Sequence, residues 1–262
     1  MKQKLSKLQY EVHLVDHCNL NCQMCDHFSP LADKNYLSPD QYESDVKRLS
    51  EIFDHKTNYI RLLGGEPLLH PQLVHFFEIS RRYFPDADLE LYTNGLLIPE
   101  QPDMFWKACR NYSVKIAVTK YPIHFDYDTA ETIIQNNHVK YMYVTEKNEP
   151  VKTSWRLPLD LEGKHNPIIN YSKCDMGNVC ILLKNGRLYP CTVVPNVVHF
   201  NKYFNTNLRV TNNDSIDIYH ATADQILKFL ANPIPFCRYC AIEKREEDIP
   251  WNISQKNIKE WT

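Results

Sequence analysis

From residue 10 to about residue 145, short apolar runs with β-like alternation are separated by segments whose apolar residues recur at helical spacing. The first run, residues 10–15, places Val12 and Leu14 on one face, as a strand does. A helix is predicted from Ser38, a favoured N-cap residue, with Pro39 in the first turn. Its apolar stripe, at spacings of four, three and four residues, consists of Tyr42, Val46, Leu49 and Phe53. A strand followed by an amphipathic helix begins a βα unit.

The same alternation predicts further strands and helices along this half of the chain. The strands are residues 59–63, 89–92, 114–119 and 139–144. The helices begin at Pro71 and continue through Phe76, Phe77 and Ile79, and then cover residues 101–111 and 129–137. Strands that alternate with helices of this length form βαβ units, so the sequence predicts an α/β fold with a parallel sheet.

The alternation stops after residue 145. Residues 146–173 are polar, contain three prolines and have no period, which predicts a loop or linker with short elements. Apolar residues 178–183 and 188–190 then flank Asn185-Gly186, the strongest short-range signal for a β-hairpin. Residues 224–230 predict a short helix, and a polar tail closes the chain. We therefore expect two units, residues 1–165 and residues 166–262.

Composition narrows the class of protein. Hydrophobic residues make up 43% and charged residues 24% of the 262 residues, which is ordinary for a folded protein. The net charge of −2 gives no overall basic field, so neither a nucleic acid nor an anionic membrane is expected as a partner. No apolar run approaches the length of a bilayer span, and the basic start, residues 1–7, is not followed by a signal-peptide core. We expect a cytoplasmic protein.

Nine cysteines are unusual in a cytoplasmic chain, where disulfides are disfavoured and cysteine more often binds metal or performs thiol chemistry. They fall into two groups at opposite ends of the sequence. The first group is Cys18, Cys22 and Cys25, and the second lies beyond residue 173. Cys109 stands alone on a predicted helix, where core packing is expected. The grouping predicts two metal sites.

The first group has the spacing CxxxCxxC and follows the first strand, at the edge of the sheet where α/β proteins place active sites. Three thiolates on one loop can hold three irons of a [4Fe–4S] cluster and leave the fourth iron open to an outside ligand. A zinc site is the alternative, with His17 or His27 as a further ligand.

Cys18, Cys22 and Cys25 resemble the CxxxCxxC signature of the radical S-adenosylmethionine (SAM) superfamily. The run Gly64-Gly65-Glu66-Pro67, after the second strand, resembles the GGEP motif with which that family holds the SAM amino group. The resemblance implies a partial (β/α)6 TIM-type barrel that carries a SAM-binding [4Fe–4S] cluster and SAM. It also implies that further residues contact SAM, namely Met24 at the adenine, and Asn94 and Thr119 at polar groups. Ordinary turn chemistry is the alternative for Asn94, which precedes Gly95.

The second group resembles the Twitch domain, a short SPASM-like unit of a β-hairpin plus a helix that wraps an auxiliary [4Fe–4S] cluster in certain radical SAM enzymes. The ligands implied by this resemblance are Cys174, Cys191, Cys237 and Cys240. Cys180 lies on the first hairpin strand, where a buried small residue is the simplest interpretation, although it stays open as a ligand or as a hydrogen donor. Structural zinc is the alternative for the whole site.

The resemblance implies reductive cleavage of SAM to a 5′-deoxyadenosyl radical, which takes a hydrogen atom from a small-molecule substrate. The comparison with radical SAM/Twitch alcohol dehydrogenases such as 2-deoxy-scyllo-inosamine dehydrogenase implies net oxidation through the auxiliary cluster, with Arg156 as the candidate catalytic residue. Residues 25–32 resemble small radical SAM proteins of glycan or secondary-metabolite assembly, which favours a carbohydrate-like substrate. An electron donor such as flavodoxin or ferredoxin is implied. An epimerase, a peptide-modifying enzyme and a non-enzymatic zinc or Fe–S module remain alternatives.

Overall fold

The computed structural model describes residues 7–144 and 151–262. Within these ranges the chain forms ten strands and seven α-helices. The strands are β1 (Tyr10–Val15), β2 (Tyr59–Gly64), β3 (Asp88–Thr93), β4 (Val114–Val118), β5 (Tyr141–Tyr143), β6 (Thr153–Arg156), β7 (Leu182–Lys184), β8 (Arg187–Tyr189), β9 (Ile216–Asp217) and β10 (Glu246–Pro250). The helices are α1 (Pro39–Ile52), α2 (Leu73–Tyr83), α3 (Asp103–Asn111), α4 (Tyr127–Asn136), α5 (Pro167–Lys173), α6 (Val193–Phe204) and α7 (Ala223–Leu230). Residues 1–6 of the predicted basic start lie outside the described residues, and so do residues 146–150 of the predicted linker.

The main sheet of the described chain has eight strands in the order β5-β4-β3-β2-β1-β7-β8-β9. Strands β1 to β5 pair in parallel, and β7 adds in parallel to the free side of β1. Because consecutive parallel strands are joined through helices, all their carboxyl ends lie at one edge of the sheet. The predicted α/β fold with a partial TIM-type barrel is confirmed.

One face of the parallel sheet packs on the helices. Tyr10 and Leu14 of β1 are fully buried, and the Tyr42 ring of α1 lies 5.2 Å from the Phe76 ring of α2. Most of the predicted α1 stripe belongs to this core, although Phe53 only borders it. The Ser38 side chain makes no cap hydrogen bond, so α1 begins from Pro39 and the acidic first turn rather than from a hydroxyl cap.

The predicted hairpin forms as β7 and β8. Asn185 (φ 51°) and Gly186 (φ 72°) both take the left-handed conformation that two-residue hairpin turns require. The parallel pairing of β7 with β1 carries the main sheet across the predicted boundary at residue 165, so the hairpin is not a separate sheet.

The predicted linker also contains regular structure. Strand β6 pairs with β10 of the tail in a second, antiparallel sheet, and helix α5 precedes Cys174. Helix α6, which the sequence pattern did not predict, packs Val197 and Phe200 into a second core together with Phe28 and Trp261. This second core lies under the cysteine residues of the C-terminal half.

No helix in residues 7–144 or 151–262 has the length and apolar character needed to cross a membrane.

Candidate active site

The first cysteine loop leaves β1 beside the Gly64-Gly65 turn, and the two backbones are hydrogen-bonded. The Gly65 amide donates to the Val15 carbonyl at 2.7 Å, and the Glu66 amide donates to the His17 carbonyl at 3.1 Å. A Cβ atom on Gly65 would lie 1.9 Å from the His17 carbonyl oxygen, which no side chain tolerates. Glycine is therefore required here because the turn touches the start of the cysteine loop.

A cavity of about 220 Å³ opens at this edge of the sheet. It gathers predicted site residues from the first strand loop, the glycine turn and the ends of β3 and β4, namely Cys18, Cys22, Cys25, Gly64, Gly65, Asn94 and Thr119. Further polar groups line it that the sequence analysis did not assign to SAM, namely Asp26, His27, Tyr92, Tyr121 and Lys152. Four separate segments thus converge on one space.

The surroundings of the three thiols favour thiolates bound to a cationic iron centre over free thiolates. Burial, with Asp26 and the Cys22 thiol nearby, raises the pKa of Cys25 to about 12, and burial also raises the pKa of Cys18 and Cys22. The Leu20 amide donates to Cys18 Sγ at 3.3 Å. Because thiolates at these positions need a compensating positive charge, a bound metal cluster fits the donor set.

Asn94 connects the end of β3 to the cysteine loop. Its side-chain nitrogen donates to Asn19 Oδ1 at 2.7 Å and lies 3.8 Å from Cys18 Sγ. Thr119 is held at the end of β4 by its amide, which donates to the Thr93 carbonyl at 2.9 Å. The parallel sheet therefore brings both predicted residues to the cavity edge.

Glu66 is fully buried, and its carboxylate is turned toward protein donors rather than into the cavity. It accepts hydrogen bonds from the Leu68 amide (3.0 Å), the Thr93 hydroxyl (2.7 Å) and the Asn94 amide (2.9 Å). Burial outweighs these bonds and raises the pKa of Glu66 to about 7. In this conformation Glu66 ties the glycine turn to the end of β3.

The raised pKa of Glu66 predicts a pH-dependent stability of the apoprotein. The folded carboxyl group retains its proton up to about pH 7, whereas the unfolded group loses it near its ordinary value of 4.5. The folded state thus binds more protons in this window, so the free energy of unfolding falls as pH rises, by up to about 3 kcal/mol from this group. Urea titrations at pH 5 and pH 8 measure the fall. Glu66→Gln should show a smaller fall than the native chain, and an equal fall in both would contradict the assignment.

Inside the barrel, the sheet carries a transverse row of alternating charges that the sequence analysis missed. Register pairs Glu11 with Arg61, Arg61 with Glu90, and Glu90 with Lys115. Arg61 lies 3.3 Å from both carboxylates, and Lys115 lies 2.6 Å from Glu90. The Tyr92 hydroxyl donates to Glu90 at 3.2 Å, which joins this charge row to the cavity above. The signal that could have revealed this row in the sequence is one charged residue at an inward-facing position in each of the strands β1 to β4.

Removing the central cation of the charge row should destabilise the protein. Arg61→Met leaves the buried Glu11 and Glu90 carboxylates without the guanidinium, which we expect to cost about 3 kcal/mol at pH 7. Chemical denaturation of the apoprotein measures this loss. Arg82→Met is the matched control, because the ion pairs of Arg82 with Glu43 and Glu78 are exposed, and its midpoint should stay nearly unchanged. Equal midpoints for the two variants would show that the row is energetically neutral.

Two predicted residues lie away from the cavity. Met24 (φ 60°) and Arg156 line a neighbouring space on the outer side of the cysteine loop. Arg156 forms an ion pair with Glu246 across the β6–β10 sheet and donates to the Lys259 carbonyl at 3.1 Å. The Arg156 guanidinium therefore holds the tail in place. The catalytic role of Arg156 and the contact of Met24 with adenine stay predictions.

The second cysteine group also lines a single small cavity. Its lining includes all four predicted ligands, Cys174, Cys191, Cys237 and Cys240, and excludes Cys180. Backbone amides point at two of the sulfurs, since Gly177 donates to Cys174 Sγ and Val193 donates to Cys191 Sγ, each at 3.4 Å. Burial and the neighbouring cysteines raise the pKa of Cys191 and of Cys240. These buried thiols again suit a cationic centre.

Cys180 and Cys109 have different surroundings. Burial and the Glu11 carboxylate raise the pKa of Cys180, and the residue packs against the second core. Cys109 is 1% exposed in α3 and packs in the main core, as predicted.

Among the described residues, no three His, Cys, Asp or Glu side chains converge closely enough for a single metal ion.

Comparison with known proteins identifies a family pattern in this region. Residues 12–124 match the family described as the Radical SAM superfamily. The chain is 37% identical over 92 residues to the GTP 3′,8-cyclase of Sulfurovum sp. (strain NBC37-1), which covers 34% of this chain and 27% of that protein. It is 30% identical over 142 residues to the GTP 3′,8-cyclase of Microcystis aeruginosa (strain NIES-843 / IAM M-2473). This match covers 50% of this chain and 40% of that protein. The chain thus spans less than half the length of these relatives.

Solved structures resemble the chain over nearly its whole length. BtrN in complex with AdoMet and 2-DOIA is 17% identical, with a TM-score of 0.57, over 95% of this chain and 98% of that one. Native anSMEcpe with bound AdoMet is 14% identical, with a TM-score of 0.54, over 93% of this chain and 92% of that one. At these identities the likeness concerns the fold.

Proposed function

We propose that this protein is a radical SAM oxidoreductase acting on a small carbohydrate-like or secondary-metabolite substrate, because residues 12–124 match the Radical SAM superfamily. The family implies a SAM-binding [4Fe–4S] cluster, and when bound these groups supply a 5′-deoxyadenosyl radical for hydrogen-atom abstraction. One observation carries the proposal: Cys18, Cys22 and Cys25 share a cavity with the glycine turn and the polar ends of β3 and β4.

In this proposal the residues of the chain bind and orient the cofactors. The three cysteines hold three irons, while Gly64 and Gly65 let the backbone approach SAM closely. Asn94 and Thr119 offer polar groups at the strand ends. Glu66 contributes by fixing the glycine turn against β3, because its carboxylate oxygens already accept three hydrogen bonds.

The second cysteine cavity supports an oxidative outcome. Cys174, Cys191, Cys237 and Cys240 would hold an auxiliary [4Fe–4S] cluster, which supplies a one-electron acceptor. Loss of a hydrogen atom, then of one proton and one electron, converts a secondary alcohol to a ketone, so the balance is a two-electron oxidation. The initiating electron comes from a donor such as flavodoxin or ferredoxin.

A carbon-cyclising reaction of the kind named for the GTP 3′,8-cyclases is the second candidate. It is favoured by the identity of 37% over 92 residues and of 30% over 142 residues to those relatives. The matched segments cover 34% and 50% of this chain, so at least half of the chain is not compared. Product analysis with labelled substrate distinguishes the two, because only dehydrogenation removes two hydrogens from the substrate.

The decisive test is SAM cleavage by the anaerobically reconstituted protein under dithionite. The proposal expects 5′-deoxyadenosine and methionine in equal amounts. A brown, fully reconstituted protein that releases neither product would overturn radical chemistry, and a colourless zinc protein would favour the non-enzymatic module instead.

Iron content tests the second cysteine cavity separately. Two [4Fe–4S] clusters bind about eight irons per chain, and Cys237→Ala should lower this to about four. Cys180→Ala is the matched control and should retain about eight irons, because Cys180 does not line the cavity. Iron analysis with sulfide determination measures both. A loss of iron in Cys180→Ala, with none in Cys237→Ala, would show that the ligand set is wrong.

A further inference from the structure

The C-terminal segment, residues 251–261, lies along the first cysteine loop, and we call it the strap. The Gln23 amide donates to the Asn252 carbonyl at 2.9 Å, and the Ser254 amide donates to the Asn21 carbonyl at 2.7 Å. These two bonds flank Cys22, which forms an antiparallel β-bridge with Ile253. The strap thus adds a short strand to a loop that otherwise has an irregular backbone.

A second anchor lies at the end of the strap. Trp261 is 4% exposed, and its indole Nε1 donates to the Cys25 carbonyl at 2.9 Å. The Trp261 ring packs 6.2 Å from Phe28 and 6.0 Å from Phe204 in the second core. The Leu159 amide in turn donates to the Trp261 carbonyl at 2.7 Å. Trp261 is therefore fixed by packing and by hydrogen bonds, and it can hold Cys25 in place.

The strap is closed on itself, which makes it a firm support. Glu260 is 5% exposed, and it accepts from the Ser254 hydroxyl at 2.6 Å and from the Gln255 amide at 2.9 Å. At the other end, the Trp251 ring meets the Tyr121 ring edge-on with centroids 5.6 Å apart. Since Tyr121 lines the cavity, the strap also contacts the wall of the site.

We infer that the strap is a positioning element for the first cysteine loop, which fixes the backbone on both sides of Cys22 and at Cys25. The glycine turn contacts the loop at its start, at His17 and Cys18, and again beyond Cys25, where His27 Nδ1 lies 2.8 Å from the Gly64 carbonyl oxygen. Without the strap, the segment from residue 21 to residue 25 loses three hydrogen bonds to the rest of the chain. This inference rests on the proposed function only in assigning the loop to a cluster; the backbone pairing is independent of it.

One pair of variants isolates the backbone pairing. Ser254→Pro removes the amide that donates to Asn21, whereas the matched control Ser254→Ala keeps this amide and loses only the hydroxyl. Hydrogen exchange of the metal-free protein reads the Gln23 amide. We expect it to exchange roughly tenfold faster in Ser254→Pro than in Ser254→Ala, as the loss of about 1 kcal/mol or more of local stability implies. Equal exchange in the two variants would overturn the pairing.

A second pair tests the effect on bound iron. Trp261→Phe keeps the packed ring and loses the donor to Cys25, and Trp106→Phe loses a similar indole bond to the Gln101 carbonyl far from the loop. In the reconstituted Trp261→Phe protein, a chelator should remove iron from the loop roughly two- to tenfold faster than in the native chain. In Trp106→Phe the rate of iron removal should equal that of the native chain. The reduced cluster's electron paramagnetic resonance spectrum should also change in Trp261→Phe.

The two sets of measurements separate the possible failures. Unchanged iron release and spectrum in both Trp261→Phe and Ser254→Pro would overturn the positioning role. If the native chain instead binds no iron that depends on Cys22, the proposed function fails, while the exchange of the Gln23 amide still reports whether the strap holds the loop.

Discussion

Cys22→Ala should release no 5′-deoxyadenosine above the buffer control, while the apoprotein keeps its fold. The alanine removes one of three thiolates that share the cavity, and a cluster held by two protein ligands is neither retained nor placed for SAM. Cys22 lies on the loop and packs in neither hydrophobic core, so the substitution leaves the barrel intact. Anaerobic assay with dithionite, with circular dichroism of the same preparation, measures both parts.

Cys109→Ala is the matched control for that experiment. Its thiol is buried in α3 within the main core, so its loss should lower stability by about 1 kcal/mol and leave SAM cleavage unchanged. Cleavage that survives in Cys22→Ala and disappears in Cys109→Ala would refute the assignment of the loop. If SAM cleavage is lost in both variants but only Cys109→Ala is unfolded by circular dichroism, the assignment of the loop is still supported.

Gly65→Ala should be strongly destabilising, although it adds only one methyl group. The new Cβ would lie 1.9 Å from the His17 carbonyl oxygen and 2.9 Å from the Cys18 amide nitrogen, and both are backbone atoms that cannot rotate away. Either the glycine turn or the cysteine loop must shift. We expect a loss of about 3 kcal/mol or more in the free energy of unfolding, at the upper end for overpacking. Urea titration of the apoprotein gives the value.

Gly186→Ala supplies the comparison. There the added Cβ meets the ring of Tyr219, a side chain that is 44% exposed and can turn outward if its hydroxyl gives up the hydrogen bond to Asp45. The left-handed backbone adds a cost of about 1 kcal/mol. Gly65→Ala should therefore be the more destabilising of the two. A Gly65→Ala protein with native stability and a native loop, seen by hydrogen exchange, would mean that the close approach of the two backbones is not required.

The parallel core was predictable because each element has a local signal. Alternation in β1 and the helical stripe of α1 both reflect which faces are buried, and the observed bounds differ from the predicted ones by a few residues at most. Asn94 and Thr119 were named through the family resemblance, and the topology explains why they meet the cysteine loop, since carboxyl ends of parallel strands share one edge. Glu66 was found by its motif, whereas the direction of its carboxylate depends on the packing around β3.

The features that escaped prediction depend on contacts distant in sequence. The strap has no periodic pattern, because its partners are backbone atoms of a loop near the opposite end of the chain. Helix α6 carries Pro195 within its first turn and several valines, which favour extended structure, and only packing on Phe28 and Trp261 makes it helical. Arg156 was placed by analogy of position, and its ion pair with Glu246 could not be inferred without β10.

The β1–β7 pairing has a consequence for how the chain is expressed and divided. In a fragment ending at residue 165, β1 would become a sheet edge whose backbone groups around Glu11 and Val12 have no partner strand, and such edges promote aggregation. The Glu11 amide, which donates to the Ile181 carbonyl at 2.7 Å, would be among them. The segment carrying the later cysteines thus completes the very sheet that presents the earlier ones.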